Sequence, residues 1–160
     1  MRPMSKTMKI ALFPGSFDPI TKGHEALIRK ALPLFDGRVV SIGDNKQKHT
    51  RFSLEKRMEW IRQTFRDEPR IEVTCHQDLT VDFCKSKGIG YIVRGVRNEQ
   101  DFRYEAEIAR VNRMLDPKIE TIFILPDSEN EHISSSVVRE LLAFGKDVTP
   151  FLPQGINLSE

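Results

Sequence analysis

Five short β-rich runs, each followed by an amphipathic stretch, constrain the fold of this chain more than any other feature. The runs cover residues 9–13, 38–42, 71–75, 91–94 and 120–125, and glycine, proline, aspartate or asparagine bounds them. They are too apolar to leave one face in water, which is the signature of parallel strands covered on both sides. The intervening stretches 23–35, 53–65, 80–86, 101–115 and 136–144 repeat apolar residues at helical spacing. Ser53 is placed as an N-cap, and Gly145 follows the last stretch as a stop. The alternation predicts a doubly wound α/β fold: a parallel five-stranded sheet with helices on both faces. Phe102, Ile108, Val111 and Leu115 share one face of the fourth helical stretch, and Phe102 and Tyr104 read as core or pocket wall. The proline-containing tail is expected to pack loosely through Phe151 and Leu152.

The chain has 160 residues, which suits one domain. Residues 1–7, ahead of Met8, are expected to be a disordered extension, leaving 8–160 as the domain. Lysine and arginine number 25 against 23 acidic residues, a balance that points away from nucleic acid as a partner. No apolar run nears the roughly 18 residues of a membrane span, and the amino terminus has no hydrophobic signal segment, so no membrane partner is expected. Cys75 and Cys84 lack metal spacing and sit in apolar surroundings, the pattern of free thiols in a cytoplasmic protein. The four histidines, His24, His49, His76 and His132, are scattered without metal spacing. The GxxxxGK[ST], GxGxxG and GxSxG signatures are missing from the sequence.

In doubly wound sheets ligands bind beyond the carboxyl ends of the strands, and four unusual segments fall there. In FPGSFDPITKGHEAL, residues 13–27, Gly15 lets the backbone approach a ligand, Ser16 offers a hydroxyl, and Gly23–His24 opens a helix whose free N–H groups favour an anion. The alternative is a turn punctuated by Asp18–Pro19, with His24 as an exposed first-turn residue. The second segment carries Lys46, Lys48, His49 and Arg51, either solvated or a cationic loop closing over a polyanion. The third holds Arg94, Gly95, Val96 and Arg97 at a buried strand end, where two arginines imply an anion or pairing with Asp101 and Glu105. The fourth, His132-Ile133-Ser134-Ser135-Ser136, supplies an N-cap with free hydroxyls and amides. Arg139 one turn on is a further phosphate ligand or a surface residue.

GSFDPITKGH together with ISSSVVRE resembles the HxGH nucleotidyltransferase superfamily, here in its TxGH form. IVRGVRNEQDFRYEAEIARVNR and the ending DVTPFLP narrow the resemblance to the bacterial phosphopantetheine adenylyltransferase family, over nearly the whole chain from Met8. The resemblance implies a Rossmann-like fold and adenylyl transfer from ATP to 4′-phosphopantetheine in coenzyme A biosynthesis. It also implies Mg2+ as helper ion, feedback inhibition by coenzyme A, and a homohexamer. Carried onto this chain, it implies that Ser16 and Phe17 meet ATP, Ser16 also meeting the second substrate, and that His24 contacts the ATP phosphates as a transition-state stabiliser. Lys48 matches the lysine for the substrate phosphate, Arg94 the arginine that holds that substrate, and Thr80 a position lining the pantetheine site. Gly95, Val96 and Arg97 match the ATP-binding run, Arg97 with a catalytic role beside His24 and Lys48. Glu105 matches a nucleotide contact, and Asn130, Glu131, His132, Ile133, Ser134, Ser135 and Ser136 the segment around ribose and phosphates. The stretch 129–132 lacks the aromatic frequent in relatives, Arg139 stands for a frequent lysine, and Thr80 is polar where some relatives are apolar. Rival expectations are a nicotinamide-mononucleotide adenylyltransferase, a glycerol-phosphate cytidylyltransferase, or a binding-only regulator.

Overall fold

The computed structural model describes residues 7–159; residues 1–6, assigned above to a disordered extension, and residue 160 lie outside them. Five strands alternate with five helices along the described chain: β1 (Ile10–Gly15), α1 (Lys22–Ala31), β2 (Gly37–Gly43), α2 (Leu54–Thr64), β3 (Ile71–His76), α3 (Thr80–Lys87), β4 (Tyr91–Gly95), α4 (Glu99–Leu115), β5 (Glu120–Ile124) and α5 (Ser135–Ala143). Every strand pairing is parallel, in the order β3-β2-β1-β4-β5. The sequence therefore builds outward from β1 through β3 and then restarts on the other side of β1 with β4. That reversal places the switch point, and with it the expected crevice, between the carboxyl ends of β1 and β4.

Alternation along the strands fills two layers. Ala11, Phe13, Val40, Ile42 and Val93 pack with Ile28 and Ala31 of α1, Trp60 and Ile61 of α2, and Val138 of α5. Leu12, Val39 and Ile92 face the other way, against Val81, Phe83 and Cys84 of α3. Because the side-chain period of a strand is two, a one-residue slip would exchange these two sets, so the apolar pattern sets the register. The β1–β2 ladder runs the full length from Ile10↔Gly37 to Gly15↔Ile42, whereas the β1–β4 ladder covers only Ala11↔Tyr91 and Leu12↔Ile92. Pro14, which has no backbone N–H to donate, lies beyond the point where that second ladder has stopped. The strands part there, and the parting opens the crevice.

Helix starts follow side-chain caps. Ser53 accepts from Lys56 N, Asn98 from Asp101 N and Ser134 from Val137 N, so α4 and α5 begin slightly earlier than their apolar spacing indicated. Of the two readings of Phe102 and Tyr104, core is corrected and pocket wall stands: both are exposed, as are Ile108, Val111, Met114 and Leu115 of α4, and both line surface cavities. The reading of the tail is corrected as well. The tail does not pack loosely, since Val148, Leu152 and Ile156 are buried in the layer that holds α1, α2 and α5.

A cleft between two helix amino termini

A cleft of about 440 Å³ opens over the carboxyl ends of β1 and β4, between the amino termini of α1 and α5. Gly23 allows the two termini to meet: a side chain there would stand 3.3 Å from the Ile133 carbonyl. Both helices aim unsatisfied N–H groups and the positive ends of their dipoles toward the same space, which favours an anion.

His24 sits at the third position of α1 and closes an unusual capping box. Its backbone N–H donates to Thr21 Oγ1 at 3.3 Å, while its ring Nδ1 accepts from the Thr21 backbone N–H at 3.0 Å. A nitrogen that accepts a backbone N–H carries no proton, so the neutral ring holds its hydrogen on Nε2. Burial, with the Arg94 guanidinium adding to it, holds the His24 pKa down to about 4. Its ring is tilted against that of Phe17 with centroids 4.9 Å apart. His24 is thereby a fixed, uncharged donor and a poor general base near neutral pH.

The cationic residues are paired. Arg94 donates to Glu105 through Nε at 3.0 Å and Nη2 at 2.8 Å, and through Nη1 to the Pro14 carbonyl at 2.7 Å. The guanidinium thus fills the gap where the β1–β4 ladder has ended, with two of its five N–H groups still uncommitted. Arg97 donates through Nε to Asp101 at 3.0 Å, and Lys48 donates through Nζ to Ser16 Oγ at 2.7 Å. Both arginines make the carboxylate pairs that the sequence offered as one alternative, and both line the cleft.

The three serines divide their work. Ser134 caps α5, Ser135 donates through Oγ to the Pro19 carbonyl at 2.7 Å, and Ser136 Oγ accepts from Arg139 Nη2 at 3.2 Å. Ser16, Phe17, His24, Lys48, Gly95, Arg97, Asn130 and Ile133 also line the cleft. Val96 does not; it is buried, and its N–H donates to the Ile124 carbonyl at 3.2 Å. Glu131 and His132 are exposed and outside the lining. Gly95 keeps the strand end close to α1: a side chain there would stand 3.3 Å from the tip of Leu27, which would have to shift slightly.

Thr80 lines a second cavity of about 360 Å³, which shares Pro14, Gly15, Ser16, Arg94 and Glu105 with the first. Sequence reasoning passed over His76 in its wall. His76 Nδ1 lies 2.6 Å from Ser41 Oγ, its ring stacks on Phe83, and burial lowers its pKa. It also passed over the buried Arg57 behind the cleft, whereas Tyr104, read as core or pocket wall, and Asp101, read as a partner for the arginines, both line the first cleft. Only placement by the fold reveals His76 and Arg57, since no local motif surrounds either.

A family model described as Cytidylyltransferase-like matches residues 12–141. A protein named phosphopantetheine adenylyltransferase from Phocaeicola vulgatus is 49% identical over 151 residues, covering 94% of this chain and 99% of that protein. One of the same name from Flavobacterium psychrophilum is 45% identical over 151 residues, with 94% and 99% covered. Another, from Bacteroides fragilis, is 44% identical over 151 residues, with 94% and 100% covered.

The geometry of His24 fixes a pH response. Its pKa lies below the ordinary 6.5, so the fold binds fewer protons than the unfolded chain between those values. The stability associated with the neutral ring is whole above about pH 6.5 and is lost as pH falls toward about 4; His76, lowered by burial, acts with the same sign. Ring NMR of the ligand-free protein is expected to show His24 neutral, with the proton on Nε2, down to pH 5.5. Half-titration near 6.5 would contradict the Thr21 hydrogen bond.

Proposed function

The chain belongs to the cytidylyltransferase-like family, and from that premise we propose that it is a phosphopantetheine adenylyltransferase. It transfers the adenylyl group of ATP to 4′-phosphopantetheine, giving dephospho-coenzyme A and pyrophosphate in coenzyme A biosynthesis. The observation that carries this reading is the 49% identity to a relative of that name across 94% of this chain and 99% of the relative.

The site supports a direct displacement. An oxygen of the 4′-phosphate attacks the α-phosphorus of ATP in line, the bond from that phosphorus to the α,β-bridging oxygen breaks, and pyrophosphate departs with the electron pair. The nucleophile is already anionic, so no side chain has to remove a proton, in keeping with a histidine whose Nδ1 is occupied and whose pKa lies near 4. On this reading His24 Nε2–H donates to the reacting phosphates, Lys48 bridges Ser16 and the incoming phosphate, and Arg97 with the α5 amino terminus at Ser134–Ser136 holds the departing charge. Phe17, Gly95, Val96, Glu105, Asn130 and Ile133 form the nucleotide side, Val96 and Glu105 by supporting its walls, whereas Glu131 and His132, outside the cleft lining, carry no part of it. Arg94 stands between the two cavities, which suits the arginine that holds phosphopantetheine, with Thr80 along the pantetheine arm.

Magnesium is read as part of the MgATP substrate, because Mg2+ is commonly held through nucleotide phosphates. The described residues contain no group of three His, Cys, Asp or Glu able to hold a metal, and the cleft carboxylates Glu105 and Asp101 are engaged by Arg94 and Arg97. Coenzyme A, which carries both the pantetheine arm and an adenylate, would span both cavities and so suits feedback inhibition. Among the described residues no helix is long and apolar enough to cross a membrane, and both cysteines are free thiols, which supports a cytoplasmic location. Residues 8–160 act as one nucleotidyltransferase domain. The exposed apolar face of α4, with Met114 83% and Val111 54% accessible, gives the homohexamer implied by the resemblance an apolar surface to bury.

Pyrophosphate release, measured with ATP or CTP crossed against phosphopantetheine, nicotinamide mononucleotide and glycerol 3-phosphate, is expected only for ATP with phosphopantetheine. No turnover by that pair with magnesium present would overturn the assignment. His24→Ala is expected to lower kcat by about 100-fold or more while changing the Kd for ATP far less. Equal losses would place His24 in ground-state binding instead. Sedimentation equilibrium is expected to return a hexamer mass, and a monomer at micromolar concentration would refute the assembly.

A further inference from the structure

We propose that Asp18 is a positioning residue for this reaction: its buried carboxylate latches the loop that carries Lys48 onto the turn that carries Ser16 and leads to His24. This rests on the adenylyl-transfer reading above. Asp18 is 3% exposed, and its two oxygens accept from consecutive backbone amides, Oδ2 from Arg51 N at 2.9 Å and Oδ1 from Phe52 N at 3.0 Å. Those amides close the loop between β2 and α2. The other end of the loop is held by Asp44 N donating to the His76 carbonyl at 2.8 Å. Lys48 lies between these anchors, its Nζ 2.7 Å from Ser16 Oγ. Such a loop has no packed core of its own, so its side chains stand where its ends are fixed.

The turn on which the latch closes is itself held in a sparsely populated conformation. Phe17 has φ +47°, a left-handed value that few residues other than glycine adopt. The carbonyl before it, of Ser16, accepts from Arg57 Nη1 at 2.9 Å, and the carbonyl after it, of Asp18, accepts from Arg139 Nη1 at 2.9 Å. Arg57, 3% exposed, also donates through Nε to the Phe52 carbonyl at 3.1 Å. Asp18 and Arg57 therefore join the same two segments from opposite sides, one through amides and the other through carbonyls. The strained residue between them carries the ring that packs on His24. Neither Asp18 nor Arg57 lines the cleft, so the effect of Asp18 on turnover passes through the loop that carries Lys48.

Asp18→Asn replaces one acceptor oxygen by an NH2 that cannot accept, leaving one buried loop amide unpaired at nearly constant volume. It is expected to lower kcat for ATP and phosphopantetheine by on the order of 10- to 100-fold, the loss typical of a misplaced reacting group, with the Kd for ATP nearly unchanged. In a Lys48→Ala background the same substitution is expected to cost less than about threefold, because the group it positions is gone. Equal losses in both backgrounds would overturn the proposal and leave Asp18 a stabilising residue only. If Asp18→Asn does not fold, Arg57→Lys, which keeps the charge but loses the planar fork that spans the Ser16 and Phe52 carbonyls, is taken through the same cycle and decides it by the same comparison. A wild-type protein inactive with this substrate pair would fail the functional assignment and not the latch. In that event trypsin cleavage after Lys46, Lys48 and Arg51 is the readout. Faster cleavage there in Asp18→Asn, with cleavage elsewhere unchanged, upholds the latch, and unchanged cleavage in the loop refutes it.

Discussion

One hydrogen bond, from the Thr21 backbone N–H to His24 Nδ1, ties the start of a helix to the chemistry of the cleft. It satisfies an N–H that the helix itself leaves without a partner, a task that glutamate or glutamine more often performs in a capping box. By occupying Nδ1 it also sets the tautomer and points the remaining ring hydrogen away from the helix. Burial then keeps the ring uncharged. A glutamate in the same place would cap α1 equally well but would bring a negative charge to a site built for phosphates.

The cationic side chains solve a related problem. Two exposed arginines and a lysine with no partners would repel one another and would be free to rotate, so binding would have to order them. Here Arg94 is clamped between Glu105 and the Pro14 carbonyl, Arg97 rests on Asp101, and Lys48 rests on Ser16. Each has hydrogens left over while its direction is already set, which on the proposed reaction would lower the entropy lost when substrate arrives. The carboxylates belong to the site because they hold its cations in place.

The alternation of strands and helices, and hence the crevice, was legible because buried parallel strands leave uninterrupted apolar runs. The boundaries were less so. Polar residues set the helix starts by capping, as at Ser134 and Asn98, and β1 continues through Pro14 to Gly15 on its β2 side alone. Core and pocket wall stayed open for Phe102 and Tyr104 because helical spacing records that one face is apolar without recording what covers it. His24, Lys48, Arg94, Arg97 and the serines stood out by lying at strand ends. Asp18 and Arg57 did not: the contacts by which each joins the loop to the turn span 33 to 41 residues, and an aspartate before proline has an ordinary local explanation as a turn residue.

A neutral donor at His24 also suits the energetics of displacement better than a charged one. An imidazolium would attract the triphosphate strongly before reaction, and binding that is equal in ground and transition states does not raise kcat. A fixed N–H donor gains most where charge density on the acceptor rises, which happens as the α,β-bridging oxygen takes up the departing electron pair. On the proposed reaction, lysine and arginine at the rim would supply the long-range attraction that brings two anionic substrates together. The division of labour follows from depth. Lys48 and Arg97 stand at the exposed mouth, where water screens them, and His24 lies deeper, where an uncharged hydrogen bond costs little to bury.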